Sequence, residues 1–161
     1  MTPNVINAVS TFLKDVKDDD YILEIGSLNI NGTIRDLFPK NPYVGVDIVA
    51  GKDVDEVMSS HDLKYKDDYF DGVISICTFP HDTHWWKSLE ECKRVLIKGG
   101  WFILTLASLH CVEHNRPDYW RFTIDGTKEV LKEFKNIHWV DHENIGFDPP
   151  TRGITTFSRL T

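Results

Sequence analysis

The sequence predicts a doubly wound α/β fold, and three observations carry that prediction. The stretch from Tyr21 to Ile48 reads as strand, turn, helix and strand. It has a short apolar run rich in β-formers, a Gly and Asn cluster, Ile34, Leu37 and Phe38 at helical spacing, and a second apolar run after Pro39 and Pro42. Phe70 to Ile76 is apolar on both faces, as a central parallel strand must be. Trp101 to Ala107 is another continuous apolar run, entered through Gly99 and Gly100.

The remaining elements follow in chain order. Val5, Ile6, Val9, Phe12, Leu13 and Val16 share one face, which predicts a helix from about Pro3 to Lys17. Gly51 to Met58 reads as a short helix or turn, and Leu63 to Tyr65 as a brief strand. Trp85, Leu89, Cys92 and Leu96 mark the buried face of a helix from about Thr83 to Val95. Asp125 to Phe134 reads as a helix capped by Asp125. Ile137 to Glu143 and Ile154 to Leu160 read as two strands joined by a loop holding Pro149 and Pro150. At 161 residues the chain is expected to be a single domain, 1–161, with no room for a separate substrate domain.

The turn after the first strand bears on function. The spacing from Gly26 to Asp47 is about what a doubly wound fold needs to place a carboxylate under the ribose of a bound nucleoside. A dinucleotide site also needs a second glycine, so that backbone can approach a pyrophosphate at the helix N-terminus. Here that position is Leu28, whose side chain obstructs phosphate but not a ligand that has none. The motif Glu24-x-Gly26, with Ser27 to Gly32 in place of the usual later glycines, resembles the first motif of the class I S-adenosylmethionine-dependent methyltransferases. Asp67 to Ile76 resembles that family's fourth motif, and Glu91 to Gly100 followed by Trp101 to Ala107 is similar to its fifth-strand region.

The resemblance implies a Rossmann-like seven-stranded sheet of order 3-2-1-4-5-7-6 with the last strand antiparallel and helices on both faces. It implies S-adenosyl-L-methionine as cofactor, and cofactor contacts from Glu24, Gly26, Ser27, Asn29, Asp47, Ile48, Ser59, Asp62 and Cys77. Ser59 stands where the family usually has an acid for the adenine amino group, with Asp62 as a substitute, and Pro80 replaces a usual Glu beside His81. The segment from Ser108 to Thr123 follows the fifth strand, where an open α/β sheet places ligands. His114 and His81 are the expected bases, since an imidazole titrates near neutrality. Phe79, Asp118, Tyr119, Trp120 and Arg121 are the expected acceptor contacts, the alternative being a structural clamp in which Arg121 pairs with Asp118.

The expected activity is methyl transfer to a small or medium-sized acceptor, sugar-like or aromatic. A catalytically inactive, cofactor-binding partner subunit is the alternative. His81, His84, His110, Cys111 and His114 could converge as a metal site, but their irregular spacing counts against one. A net charge of −7 disfavours nucleic acid as partner. No run is long and apolar enough to span a membrane, and three cysteines without paired spacing fit reduced thiols in a cytoplasm.

Overall fold

The computed structural model describes residues 3–108, 117–144 and 151–161. Its strands are β1 (Ile22–Ile25), β2 (Tyr43–Asp47), β3 (Glu56–Val57), β4 (Phe70–Ile76), β5 (Leu96–Ala107), β6 (Phe134–Asn144) and β7 (Thr151–Leu160). They form one sheet in the order β3-β2-β1-β4-β5-β7-β6. The β3-β2, β2-β1, β1-β4 and β4-β5 pairings are parallel, whereas β7 runs antiparallel to both β5 and β6. The order and the single reversed strand are those expected.

Side-chain alternation along the central strands divides the core into two layers. Ile22, Ile74, Trp101 and Ile103 point to one face and pack with Val5 and Val9 of helix α1 (Pro3–Ser10). Leu23, Val73, Phe102 and Leu104 point to the other, against Leu89, Cys92 and Val95 of α2 (Trp85–Val95) and Val130 of α3 (Ile124–Val130). Helices thus cover both faces. Gly72 lets the Trp101 indole lie across β4, since a Cβ there would come 2.1 Å from the ring. The indole N–H then reaches Asp20 Oδ2 at 2.7 Å.

Several expected boundaries change, each for a local reason. The first helix stops at Ser10, because the Ser10 and Thr11 hydroxyls donate to the Ile6 and Ala8 carbonyls and disrupt its last turn; a 3-10 turn at Leu13–Asp15 follows. The helix expected between Thr33 and Phe38 is only a 3-10 turn, Arg35–Leu37. Six residues between a glycine and a proline are too few to propagate a helix, and the Arg35 guanidinium is drawn instead to Asp55 (2.6 Å) and the Tyr43 carbonyl (3.0 Å).

The third strand is Glu56–Val57 and not Leu63 to Tyr65. It pairs only with Val46 and Asp47, so its acidic, exposed sequence carries no burial pattern. Leu63 is buried off the sheet, held by Glu91 and Arg94. Helix α3 is capped by Thr123, whose hydroxyl accepts the Gly126 N–H at 2.9 Å, and not by Asp125, which pairs with Lys128. It ends at Val130, and β6 already begins at Phe134, with a register shift between Lys135 and His138.

Candidate active site

The carboxyl ends of β1, β2 and β4 bring most of the expected residues to one edge of the sheet. At the end of β1, Gly26 takes φ +72°, and a Cβ there would lie 2.1 Å from Thr78 Oγ1. Thr78 in turn donates to the Ile25 carbonyl at 3.1 Å, so the glycine turn and the turn after β4 touch directly. Only a residue without a side chain allows that approach. The N–H groups of Gly26 and Ser27 both reach the Val46 carbonyl, which seats the loop on β2.

Asp47, the last residue of β2, lies against the glycine turn. Its Oδ2 accepts the Leu28 N–H at 3.2 Å and its Oδ1 the Val49 N–H at 3.1 Å. A carboxylate oxygen has two lone pairs, so each retains capacity for a further donor. Ile48, the next residue, is 71% exposed, an apolar side chain held out beside the carboxylate. Leu28 turns its side chain onto Gly51, where an added methyl would lie 2.3 Å from Leu28 Cδ1. The Asn29 amide is engaged by Asp53 at 2.6 Å, and its carbonyl oxygen accepts the Gly32 N–H, so Asn29 shapes the loop.

Glu24 is nearly buried and lies behind the loop, where the Tyr43 hydroxyl donates to Oε2 at 2.8 Å. Burial raises its carboxyl from 4.5 to about 7, with the Tyr43 hydrogen bond and Arg35 opposing that rise and Asp53 and Asp47 adding to it. The Ser27 hydroxyl is buried beneath the same loop, against Gly45. Beyond β3, the Met58 N–H reaches the Asp47 carbonyl at 2.9 Å, which brings the following Ser59 near the end of β2. Ser59 is exposed and its hydroxyl accepts the His61 N–H. Asp62 is also exposed and pairs with Lys64.

The turn after β4 runs from Cys77, which is part-buried at φ +53°, through a 3-10 turn at Phe79–His81. Phe79 is fully buried and stacks on Trp85 with ring centroids 5.9 Å apart, so it belongs to the core and offers no face to an acceptor. His81 Nδ1 lies 2.7 Å from the Pro117 carbonyl. A carbonyl accepts, so Nδ1 carries the proton and Nε2 is the basic nitrogen of the neutral ring.

Residues 117–122 pack on this turn, with the N–H groups of Tyr119 and Trp120 on the Pro80 carbonyl. Asp118 and Arg121 make a two-pronged pair at 2.5 and 2.6 Å, and the Asp118 side chain is 1% exposed. This pairing is the geometry of the clamp alternative. Tyr119 and Trp120 are the exposed rings of the segment. The expected base His114, together with His110 and Cys111, lies outside the described residues. Among the described residues no group of three or more His, Cys, Asp or Glu is disposed to hold a metal ion, and no helix is long and apolar enough to cross a membrane.

Sequence reasoning overlooked one constellation. His61 Nε2 reaches both oxygens of Asp82, at 2.8 and 2.9 Å. The two residues are far apart in the chain and follow different strands, and no spacing rule pairs them. The only hint was two polar, chemically capable residues in turns that end neighbouring segments.

A parallel sheet with one reversed strand next to its edge, and an acid at the end of β2 beside a glycine turn, are the features of the Rossmann-like methyltransferase fold. A partial match to a methyltransferase-domain model and the shared fold support the class I S-adenosylmethionine-dependent methyltransferase family, with S-adenosylmethionine as cofactor. Residues 33–104 match the model of a methyltransferase domain. An uncharacterized protein of Methanocaldococcus jannaschii is 30% identical over 131 residues, covering 76% of this chain; the chain spans about half, 51%, of that relative's length.

Among solved structures, an S-adenosylmethionine-dependent methyltransferase from Archaeoglobus fulgidus superposes with a TM-score of 0.75 at 13% identity, covering 96% of this chain and 92% of its own. One from Methanosarcina mazei gives 0.73 at 13% identity over 93% and 96%. The 1,6-didemethyltoxoflavin-N1-methyltransferase of Burkholderia thailandensis, with bound 1,6-didemethyltoxoflavin and S-adenosylhomocysteine, gives 0.71 at 14% identity over 97% and 78%.

Proposed function

We propose that the chain binds S-adenosylmethionine across the carboxyl ends of β1 and β2 and transfers its methyl group to a small or medium-sized acceptor beside residues 117–122. The observation that carries this reading is the Leu28 N–H on Asp47 Oδ2, which holds the glycine turn and the strand-end carboxylate against one another. The residues present fit an adenosine. Asp47 keeps lone pairs for ribose hydroxyls, Ile48 offers an apolar face for the base, and Gly26 leaves the turn narrow. With no acid at Ser59, the base edge is read by the Ser59 to Asp62 turn, and Cys77 borders the far side. Glu24 acts from behind the loop, through Tyr43.

The cofactor, when bound, supplies a methyl group already activated by a sulfonium. The protein's part is to hold the acceptor atom in line at about 3–3.5 Å and to take a proton where the acceptor has one to lose. His81 Nε2 is the described candidate for that proton, with its ring orientation fixed by Pro117. His114 is the second candidate. Tyr119 and Trp120 present flat rings suited to a sugar-like or aromatic acceptor. Three cysteines without paired spacing suit the cytoplasm as the place of action.

Thermal unfolding in the presence of S-adenosylhomocysteine and, separately, of NAD tests the cofactor. A native-state ligand raises the melting temperature by mass action. S-adenosylhomocysteine is expected to raise it and NAD to leave it unchanged, and the reverse pattern overturns the reading.

A further inference from the structure

Asp82 lies beyond the expected site yet fastens three separate segments. Its carboxylate holds the His61 ring through both oxygens, accepts the Ser88 hydroxyl on Oδ2 at 2.5 Å, and accepts the His84 N–H on Oδ1 at 2.8 Å. Ser88 is fully buried, and its one proton goes to Asp82. Ser60, 2.8 Å away, is therefore the donor to Ser88. Two adjacent residues of the turn after β3, Ser60 and His61, are in this way tied to the start of α2. The backbone carbonyl of Asp82 faces elsewhere and accepts the Trp120 indole N–H at 2.9 Å. The Asp82 side chain is only 11% exposed, so these bonds are made with little competition from water.

We propose that Asp82 is the positioning residue of this site. Its carboxylate holds the turn that borders the cofactor, its carbonyl holds the aromatic segment on the acceptor side, and one residue sets the spacing of the two walls. This rests on the methyltransferase reading. The competing role is a plain cap of α2, since the bonds from His84 and Ser88 are made at the helix start, where a carboxylate is favoured. The bond to His61 is no part of a cap, and it separates the two roles.

The test uses His61→Phe, His61→Gln and Asp82→Ala in the full chain, with S-adenosylhomocysteine as probe. His61→Phe leaves the capping bonds in place and is expected to weaken S-adenosylhomocysteine binding by calorimetry ~10-fold, the scale of one coupled polar pair. His61→Gln, which restores an N–H donor at similar reach, is expected to recover most of that loss. Asp82→Ala keeps the backbone carbonyl but removes the carboxylate bonds that anchor the turn carrying it, so it is expected to weaken binding and to raise acrylamide quenching of Trp120, measured as the difference from the same protein carrying Trp120→Phe. His61→Phe binding as tightly as the unaltered chain, with its fold intact by circular dichroism, would reduce Asp82 to a helix cap and overturn the proposal. No heat with the unaltered chain would count against the methyltransferase reading. Trp120 quenching, which needs no ligand, still decides the positioning role, and quenching unchanged in Asp82→Ala overturns it.

Discussion

Replacing Glu24 with Gln should stabilise the protein at alkaline pH and do almost nothing at acid pH. Glu24 is 4% exposed, and burial holds its folded-state carboxyl at about 7 against an ordinary 4.5. Between those two pH values the folded chain keeps a proton that the unfolded chain has lost, so stability falls as pH rises through the window. Below about 4.5 both states are protonated and no penalty exists. Above about 7 the folded state must hold a buried carboxylate, and the displacement corresponds to about 3 kcal/mol.

Gln keeps an acceptor for the Tyr43 hydroxyl, now 2.8 Å from Glu24 Oε2, and never ionises. The variant's melting temperature should therefore exceed that of the unaltered chain by roughly 6–12 °C at pH 8 and match it near pH 4.5. Calorimetric melts across that range measure it. An offset independent of pH, or a loss of stability at pH 8, would mean that Arg35 and the Tyr43 hydroxyl outweigh burial, and the reasoning would fail.

Three further outcomes are expected. Gly26→Ala should cost about 2–4 kcal/mol in urea unfolding, from positive φ plus crowding at Thr78, whereas Gly99→Ala, at φ +75° with nothing within 4 Å of the new methyl, should cost only about 1 kcal/mol; equal losses would refute the crowding argument. Asp47→Ala should weaken S-adenosylhomocysteine binding by about 1.5–3 kcal/mol in calorimetry with the fold retained, and unchanged affinity would remove Asp47 from the site. Arg121→Ala leaves the Asp118 carboxylate buried and should cost about 3–5 kcal/mol, whereas Asp118→Leu with Arg121→Met should cost far less; urea titration of both variants gives the comparison, and similar losses would show that the pair is not coupled.

The sheet was legible because its strands announce themselves by continuous apolar runs: β1, β4 and the second half of β5 are buried on both faces. β3 was not, since two exposed residues on a sheet edge need no apolar pattern to pair. The turn at Arg35 was misread as a helix because Ile34, Leu37 and Phe38 do have helical spacing, but their burial is met by a single 3-10 turn and a guanidinium anchored elsewhere. At the site, Gly26 and Asp47 could be read from spacing along one βαβ unit. Phe79 could not be told from an exposed ring, since an aromatic beside a proline in a turn carries no period to say which way it faces. Asp82 and His61 meet only through the meeting of two turns, and no spacing along the chain pairs them.

The place of β7 has a consequence for how the chain comes to be folded. β7 follows every other strand in sequence, yet it lies between β5 and β6 and supplies their hydrogen-bonding partner on both sides. During synthesis β1 to β5 can assemble as they emerge, but β6 has no strand to pair with until Thr151 to Leu160 have left the ribosome. Until then the long edge of β5 stands open, presenting a template for pairing with another nascent chain. Completion of the domain thus waits on its last strand, and a premature stop before Thr151 would yield a sheet that ends at an uncovered edge, a form prone to aggregate.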